Sequence, residues 1–243
     1  MKIKKSSEIV KKVLPVIIAS SLNINAAPIV RIFELTIDIT RQNEYKAVGI
    51  ENLTTSIKTE DGTLAMYASH RKDNPSINYV VEIYENEEAY KKHTASAHFK
   101  KFVEMAATVV KGRKVFETEP QFLAEKKKPI YVEKNAKYNI RLAEITVIPE
   151  KNEEFKKIVT EEMKQSMEKE SGVLVMYAVT LKDEPNKWRF FEIYEDEKAY
   201  LKHREISHFK KYIKETESMI IEKNLIELDG DTLVNKGGLN LQF

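Results

Sequence analysis

The sequence predicts an α+β protein made of two tandem copies of one β-α-β-β-α-β unit. The first observation behind this is a self-alignment. Shifted by 110 residues, Val30–Phe102 matches Ile140–Tyr212 without a gap, and half of the positions over Asp61–Phe102 are identical. The identities include Gly62/Gly172, Met66/Met176, Tyr67/Tyr177, Ala68/Ala178, Asp73/Asp183 and Pro75/Pro185. A period this long marks duplicated domains, since solenoid repeats run to only about 20–50 residues. The second observation is that the same breakers, a glycine and then Asp-x-Pro, interrupt both copies at matching places.

Within copy one, IVRIFELTI is β-branched and aromatic enough for a first strand. A polar helix follows over about 42–58 and stops at Asp61–Gly62. TLAMYASH forms a second strand, and Asn74 before Pro75 favours a bend rather than a helix. YVVEIY is the third strand, antiparallel to the second because only a short loop joins them. NEEAYKKH and SAHFKKFVEMAATVV read as two helical pieces, and KVFET as the last strand. Copy two repeats the order with IRLAEITVI, a helix over 152–169, VLVMYAVTL, RFFEIY, two helical pieces and LIEL. This is the ferredoxin-like arrangement, an antiparallel sheet with helices on one face. The boundaries read as 29–122 for the first domain and 139–236 for the second. A charged linker is expected between them (123–138, within Glu119–Tyr138).

The N-terminus carries Lys2, Lys4, Lys5, Lys11 and Lys12, then the apolar run VLPVIIASSL and a small-residue site ending at Ala26. That pattern predicts a secretory signal over 1–26 and an exported, periplasmic or secreted protein, with a cytoplasmic one as the alternative. The run is too short for a bilayer, which needs about 20 residues, so no membrane span is expected. Forty basic against 38 acidic side chains leave no field that would select nucleic acid. The chain has no cysteine, which removes thiol nucleophiles, iron–sulfur clusters and cysteine-ligated zinc. No phosphate-cradling glycine loop and no nucleophile elbow occur.

Chemistry concentrates in EIYENEEAYKKHTASAHFKKF (Glu82–Phe102) and EIYEDEKAYLKHREISHFKKY (Glu192–Tyr212), which hold four of the five histidines. Strand alternation puts Val80, Glu82 and Tyr84 on one face and Tyr79, Val81 and Ile83 on the other. On the following helix Ala89, Tyr90 and His93 share a sector, as do Ala199, Tyr200 and His203. His98 and His208 come five residues later, about 140° round an unbroken helix, so they are expected to face away from any ligand of His93 or His203. Ser96 and Ser207 look like N-caps of a second helical piece, and a metal site is not expected from this spacing.

The order Gly, a mostly apolar stretch ending in Tyr, then Asp-x-Pro, then Glu-Ile-Tyr-Glu-x-Glu-x-Ala-Tyr-x-x-His-x-x-x-x-His-Phe resembles the antibiotic biosynthesis monooxygenase (ABM) domain family. The resemblance spans Val30–Thr118 and Ile140–Leu228. It implies ferredoxin-like domains that pair as an α+β barrel, here between the two copies of one chain, with further self-association as an option. It also implies oxidation of a quinol or similar small aromatic by O2 with no metal or organic cofactor. His93 and His203 would be bases, with Glu82 and Glu192 holding the imidazoles. Tyr67, Tyr84, Tyr177 and Tyr194 would orient the substrate, and Met66 and Met176 would line its site. Haem degradation, another activity of the family, is disfavoured. Its Asn, Trp and His positions are here Phe33/Ala143, Tyr84/Tyr194 and Val103/Ile213, and Trp188 lies instead at a strand start opposite Asn78. The alternatives are a non-catalytic small-molecule binding or stress-associated module and an isomerase of a small metabolite. Differences between copies suggest that one has drifted into a structural role.

Overall fold

The computed structural model describes residues 27–243, so the expected leader over 1–26 lies outside the described residues. The first half runs β1 (Ile29–Ile37), α1 (Gln42–Thr59), β2 (Thr63–Arg71), β3 (Ile77–Tyr84), α2 (Glu87–Ala95), α3 (Ala97–Val109) and β4 (Val110–Glu125). A short β5 (Tyr131–Val132) follows. The second half runs β6 (Ala136–Val147), α4 (Asn152–Lys169), β7 (Val173–Leu181), β8 (Lys187–Tyr194), α5 (Glu197–Glu205), α6 (Ser207–Thr216), β9 (Ile220–Asn235) and β10 (Asn240–Gln242). The predicted α+β order holds in both copies.

The strands close on themselves in the order β1-β3-β2-β9-β6-β8-β7-β4, with β4 returning to β1. Closure depends on two long strands that serve both halves. β4 pairs with β1 up to Glu117 and with β7 from Thr118 onward. β9 pairs with β6 up to Leu228 and again at Gly230, and with β2 from Leu228 to Asn235. The two copies are therefore locked by main-chain hydrogen bonds, and no sheet edge is left open between them.

This corrects the expected linker. Phe122, Leu123 and Ala124 are buried barrel residues rather than part of a solvated tether, and KVFET and LIEL are fragments of the 16-residue strands β4 and β9. Flanking charges and prolines disguise a strand end whose last four residues, Phe122–Glu125, are all buried.

Side chains alternate between two compartments. Val81, Ile83, Tyr67, Tyr177, Phe191 and their neighbours fill the barrel interior. The opposite strand faces meet the helices, in one layer for each half. In both halves a glycine after the first helix permits close packing of the next one. A Cβ on Gly62 would stand 2.4 Å from the Cβ of Ala89, and one on Gly172 2.6 Å from that of Ala199. Any larger residue would push α2 or α5 off the sheet.

The two helical pieces are separate helices. α2 ends at Ala95, and Ser96, with extended backbone, caps α3 by accepting from the Phe99 amide. Ser207 does not cap α6. That position belongs to Ile206, whose side chain can accept no hydrogen bond. No described helix is long and apolar enough to cross a membrane.

Candidate functional site

Between the sheet and the helices of the first half lies a cavity of about 380 Å³. Its apolar walls include Phe33, Leu53, Val80, Phe99, Phe102 and Ala106. The polar groups that reach it are Glu82, Asn52, Lys46, Arg113, Asp231 and Thr232. Asp231 and Thr232 arrive on β9, so the second half of the chain completes the wall of a first-half cavity.

Glu82 is buried and takes no part in an ion pair among the described residues. Burial pushes its carboxyl above the ordinary carboxylate range, partly offset by the nearby His93 and by the hydroxyl of Tyr84, which donates to Oε2 at 2.8 Å. Asp231 differs, because Lys46 (2.6 Å) and His70 (2.9 Å) both contact its carboxylate. Arg113 makes no ion pair among the described residues, and its guanidinium lies over the ring of Phe33, 5.5 Å from the centroid.

In the second half larger side chains stand at positions that open the cavity of the first. Gly49, Asn78, Val80 and Ala106 correspond to Val159, Trp188, Phe190 and Thr216. Trp188 is fully buried, stacks on Phe190 at 10°, and meets Phe155 edge-on at 5.3 Å. Its indole N–H donates to Asn152 at 2.8 Å, so the largest side chain of the half is satisfied in both its apolar and polar parts.

A family model described as antibiotic biosynthesis monooxygenase matches residues 28–105 and 140–215. Among solved structures, a proposed monooxygenase of Lactobacillus acidophilus NCFM is 31% identical and superposes with a TM-score of 0.84. The match covers 89% of this chain and 100% of that one. A proposed monooxygenase of Fusobacterium nucleatum is 29% identical with a TM-score of 0.83, over 90% and 99% of the two chains. Among the curated proteins none matches the sequence. The chain belongs to the antibiotic biosynthesis monooxygenase family.

On this ABM fold the residues singled out from sequence separate into three places. Glu82 and Tyr84 meet at the cavity side of the sheet, with Met66 packed beside Tyr84 in the helix-facing layer. Glu192, Tyr194 and Met176 take the matching positions in the filled half, where Tyr194 donates to Glu192 at 2.8 Å. Tyr67 and Tyr177 face the other way. Inside the barrel their hydroxyls lie 3.1 Å apart, and both donate to Glu125. They contact nothing around Glu82, because residues of odd and even number on one strand occupy opposite faces.

The histidines overturn two expectations. Glu82 does not hold His93, and Glu192 does not hold His203. Glu60, at the end of α1, lies 3.1 Å from Nδ1 of His93 and 2.8 Å from Nε2 of His98. Glu170 does the same for His203 (3.1 Å) and His208 (2.8 Å). The expected divergence of each histidine pair assumed an unbroken helix. The break at Ser96, and at Ile206 in the second half, turns the later helix so that both imidazoles converge on one carboxylate. Burial works against ionisation of Glu60, but hydrogen bonds from His93 and Thr63 outweigh it and hold the carboxyl at about 2.

Sequence reasoning missed Glu60, Glu170, Asn52, Arg113 and Asp231. A signal for the first two was present, since a Glu two residues before the repeated glycine is identical in both copies.

Proposed function

We propose that the first half of this ABM protein is a cofactor-independent monooxygenase centre for a quinol or similar small aromatic. Glu82 acts as its general base, and the second half serves as scaffold. The carrying observation is a mostly apolar cavity of about 380 Å³ into which one unpaired, desolvated carboxylate projects. Such a carboxylate, raised above its ordinary range by burial, is a stronger base than one in water. Removal of a phenolic proton turns a quinol into an electron-rich anion that can reduce O2. One oxygen atom enters the ring, the other leaves as water, and all four electrons come from the substrate, so no external reductant is needed. Arg113 offers a positive charge to the anion, and apolar walls limit water access to intermediates.

His93 stands behind Glu82 and Tyr84 rather than in the cavity wall, so its part here is to position and polarise these groups. A pocket filled by the protein's own side chains would favour a non-catalytic module, and only the second half has that property.

The test is O2 uptake with a panel of small quinols. Glu82→Gln is expected to lower the rate by about 10²–10⁴-fold, the usual worth of a general base, while Glu192→Gln leaves it unchanged. Rates should climb with pH as Glu82 ionises, and this limb should disappear in the variant. Equal rates for wild type and Glu82→Gln across the panel would refute the assignment.

A further inference from the structure

We infer that the second half carries a binding site for a divalent transition-metal ion of the zinc class, formed by Glu170, His203 and His208. The site lies between the end of α4 and the α5–α6 break, apart from the cavity of the first half. Oε1 of Glu170 is 3.1 Å from Nδ1 of His203 and 2.8 Å from Nε2 of His208. Donors that share a metal at bonds of about 2.0–2.2 Å stand roughly 3 Å from one another, and Glu170 already stands so from both imidazoles. One ligand atom each of Glu162, His203 and His208 also lies within 4.8 Å of the other two, so a second carboxylate is at hand. Two imidazoles and one carboxylate suit zinc-like ions and disfavour calcium and magnesium.

Charge points the same way. Glu162 and Glu170 are both 5% exposed and flank the two imidazoles, with Nε2 of His203 3.9 Å and Nε2 of His208 4.0 Å from Glu162. A divalent cation held beside the imidazoles would lie against two buried carboxylates, an arrangement that balances its charge.

The unused ring nitrogens give a separate indication. Nδ1 of His203 meets Glu170, while its Nε2 points toward Glu162 from 3.9 Å, beyond hydrogen-bond range. The first half has the same arrangement, where Nε2 of His93 and Oδ1 of Asn52, the counterpart of Glu162, are both buried without a partner. A metal on Nδ1 moves the ring hydrogen to Nε2 and turns it toward Glu162, the usual outer-shell carboxylate of a metal-bound histidine. Ser166 supports the set by donating to Glu162 at 2.6 Å. A surface hollow bounded by Glu170, Ser171, Gly172 and Lys202 gives the ion a route to the carboxylate. The first half has only Glu60 and a neutral Asn52 around its two imidazoles, so it is the weaker site.

The experiment titrates chelator-treated full chain with Zn²⁺, with Co²⁺ as the spectroscopic probe and Mg²⁺ as competitor. One tight equivalent per chain is expected, with visible Co²⁺ bands, a raised melting temperature and no competition from Mg²⁺. Glu170→Gln and His208→Gln should abolish it, and Glu162→Gln should weaken it about 10–100-fold as an outer-shell partner. His98→Gln should leave it intact. Asn52→Glu should create a second equivalent, an arm that does not depend on the ligand variants folding. The inference is overturned if no saturable Zn²⁺ binding tighter than about 10 μM is found. It is equally overturned if folded Glu170→Gln and His208→Gln bind as wild type does. The clusters would then be hydrogen-bonded struts between helices.

Discussion

The two halves share one backbone order and differ in what occupies the layer between sheet and helices. In the first, Gly49, Val80 and Ala106 leave space that Glu82 and Arg113 reach. In the second, Val159, Phe190, Trp188 and Thr216 close it. The second layer is thus filled by its own buried side chains, as an ordinary core is. The division of labour is incomplete, because β9 of the filled half supplies Asp231 and Thr232 to the open one. A first half expressed alone would lack part of its own cavity wall.

The largest effect should come from making the first half resemble the second. A Cβ on Gly49 meets nothing within 4 Å, so a side chain there grows into the cavity without displacing backbone. Gly49→Val combined with Val80→Phe should cut quinol-dependent O2 uptake by at least about 100-fold, comparable to loss of a catalytic group. Thermal stability should stay level or rise, since a helix glycine is removed and empty volume is filled. Retained activity in a folded double variant would break the comparison at its root.

The reverse change probes the filled half. Trp188→Ala should destabilise by about 3–5 kcal/mol, the range for deleting a large buried aromatic, and also leaves Asn152 without its donor. Asn78→Ala, at the matching place, should cost only about 1 kcal/mol, because the buried Asn78 donates two long hydrogen bonds, at 3.2 and 3.3 Å, and its Oδ1 has no partner. Urea denaturation of the two variants in parallel measures the difference. Equal losses would mean that both layers are packed alike.

The same comparison shows what the sequence could disclose. The element order was legible because periodicity and breakers are local, and because the duplication stated them twice. The cavity was not, since Val80 against Phe190 and Gly49 against Val159 are ordinary apolar exchanges until the helices are placed over the sheet. Glu60 was hidden for a different reason. It lies 33 residues before His93, and its meeting with His98 depends on a helix break that angular spacing alone does not predict. Pairing of Tyr67 with Tyr177 follows from barrel closure, in which residues 110 apart approach the same axis.

That axis yields the smallest prediction, where the halves meet rather than differ in bulk. Glu125 and Asn235 occupy matching positions in β4 and β9, and both contact the hydroxyl of Tyr67. Two glutamates there would bury two carboxylates side by side, and one chain encoding both copies allows one of them to be an amide. Burial raises the carboxyl of Glu125, while hydrogen bonds from Tyr177, Tyr67 and Asn235 oppose the shift. A raised carboxyl means that the folded state keeps its proton where the unfolded chain has lost it. Stability attributable to this group is therefore fully present below the unfolded value of about 4.3 and falls as pH rises toward the folded value. Glu125→Gln removes that titration. Within the window, wild-type stability should fall relative to the variant by about 1.4 kcal/mol per pH unit, the linkage slope for one proton. Urea midpoints for both proteins at several values from pH 4 upward provide the measurement. Parallel curves would mean that Glu125 is already ionised in the fold, with the two tyrosine hydroxyls and Asn235 sufficient to hold its charge.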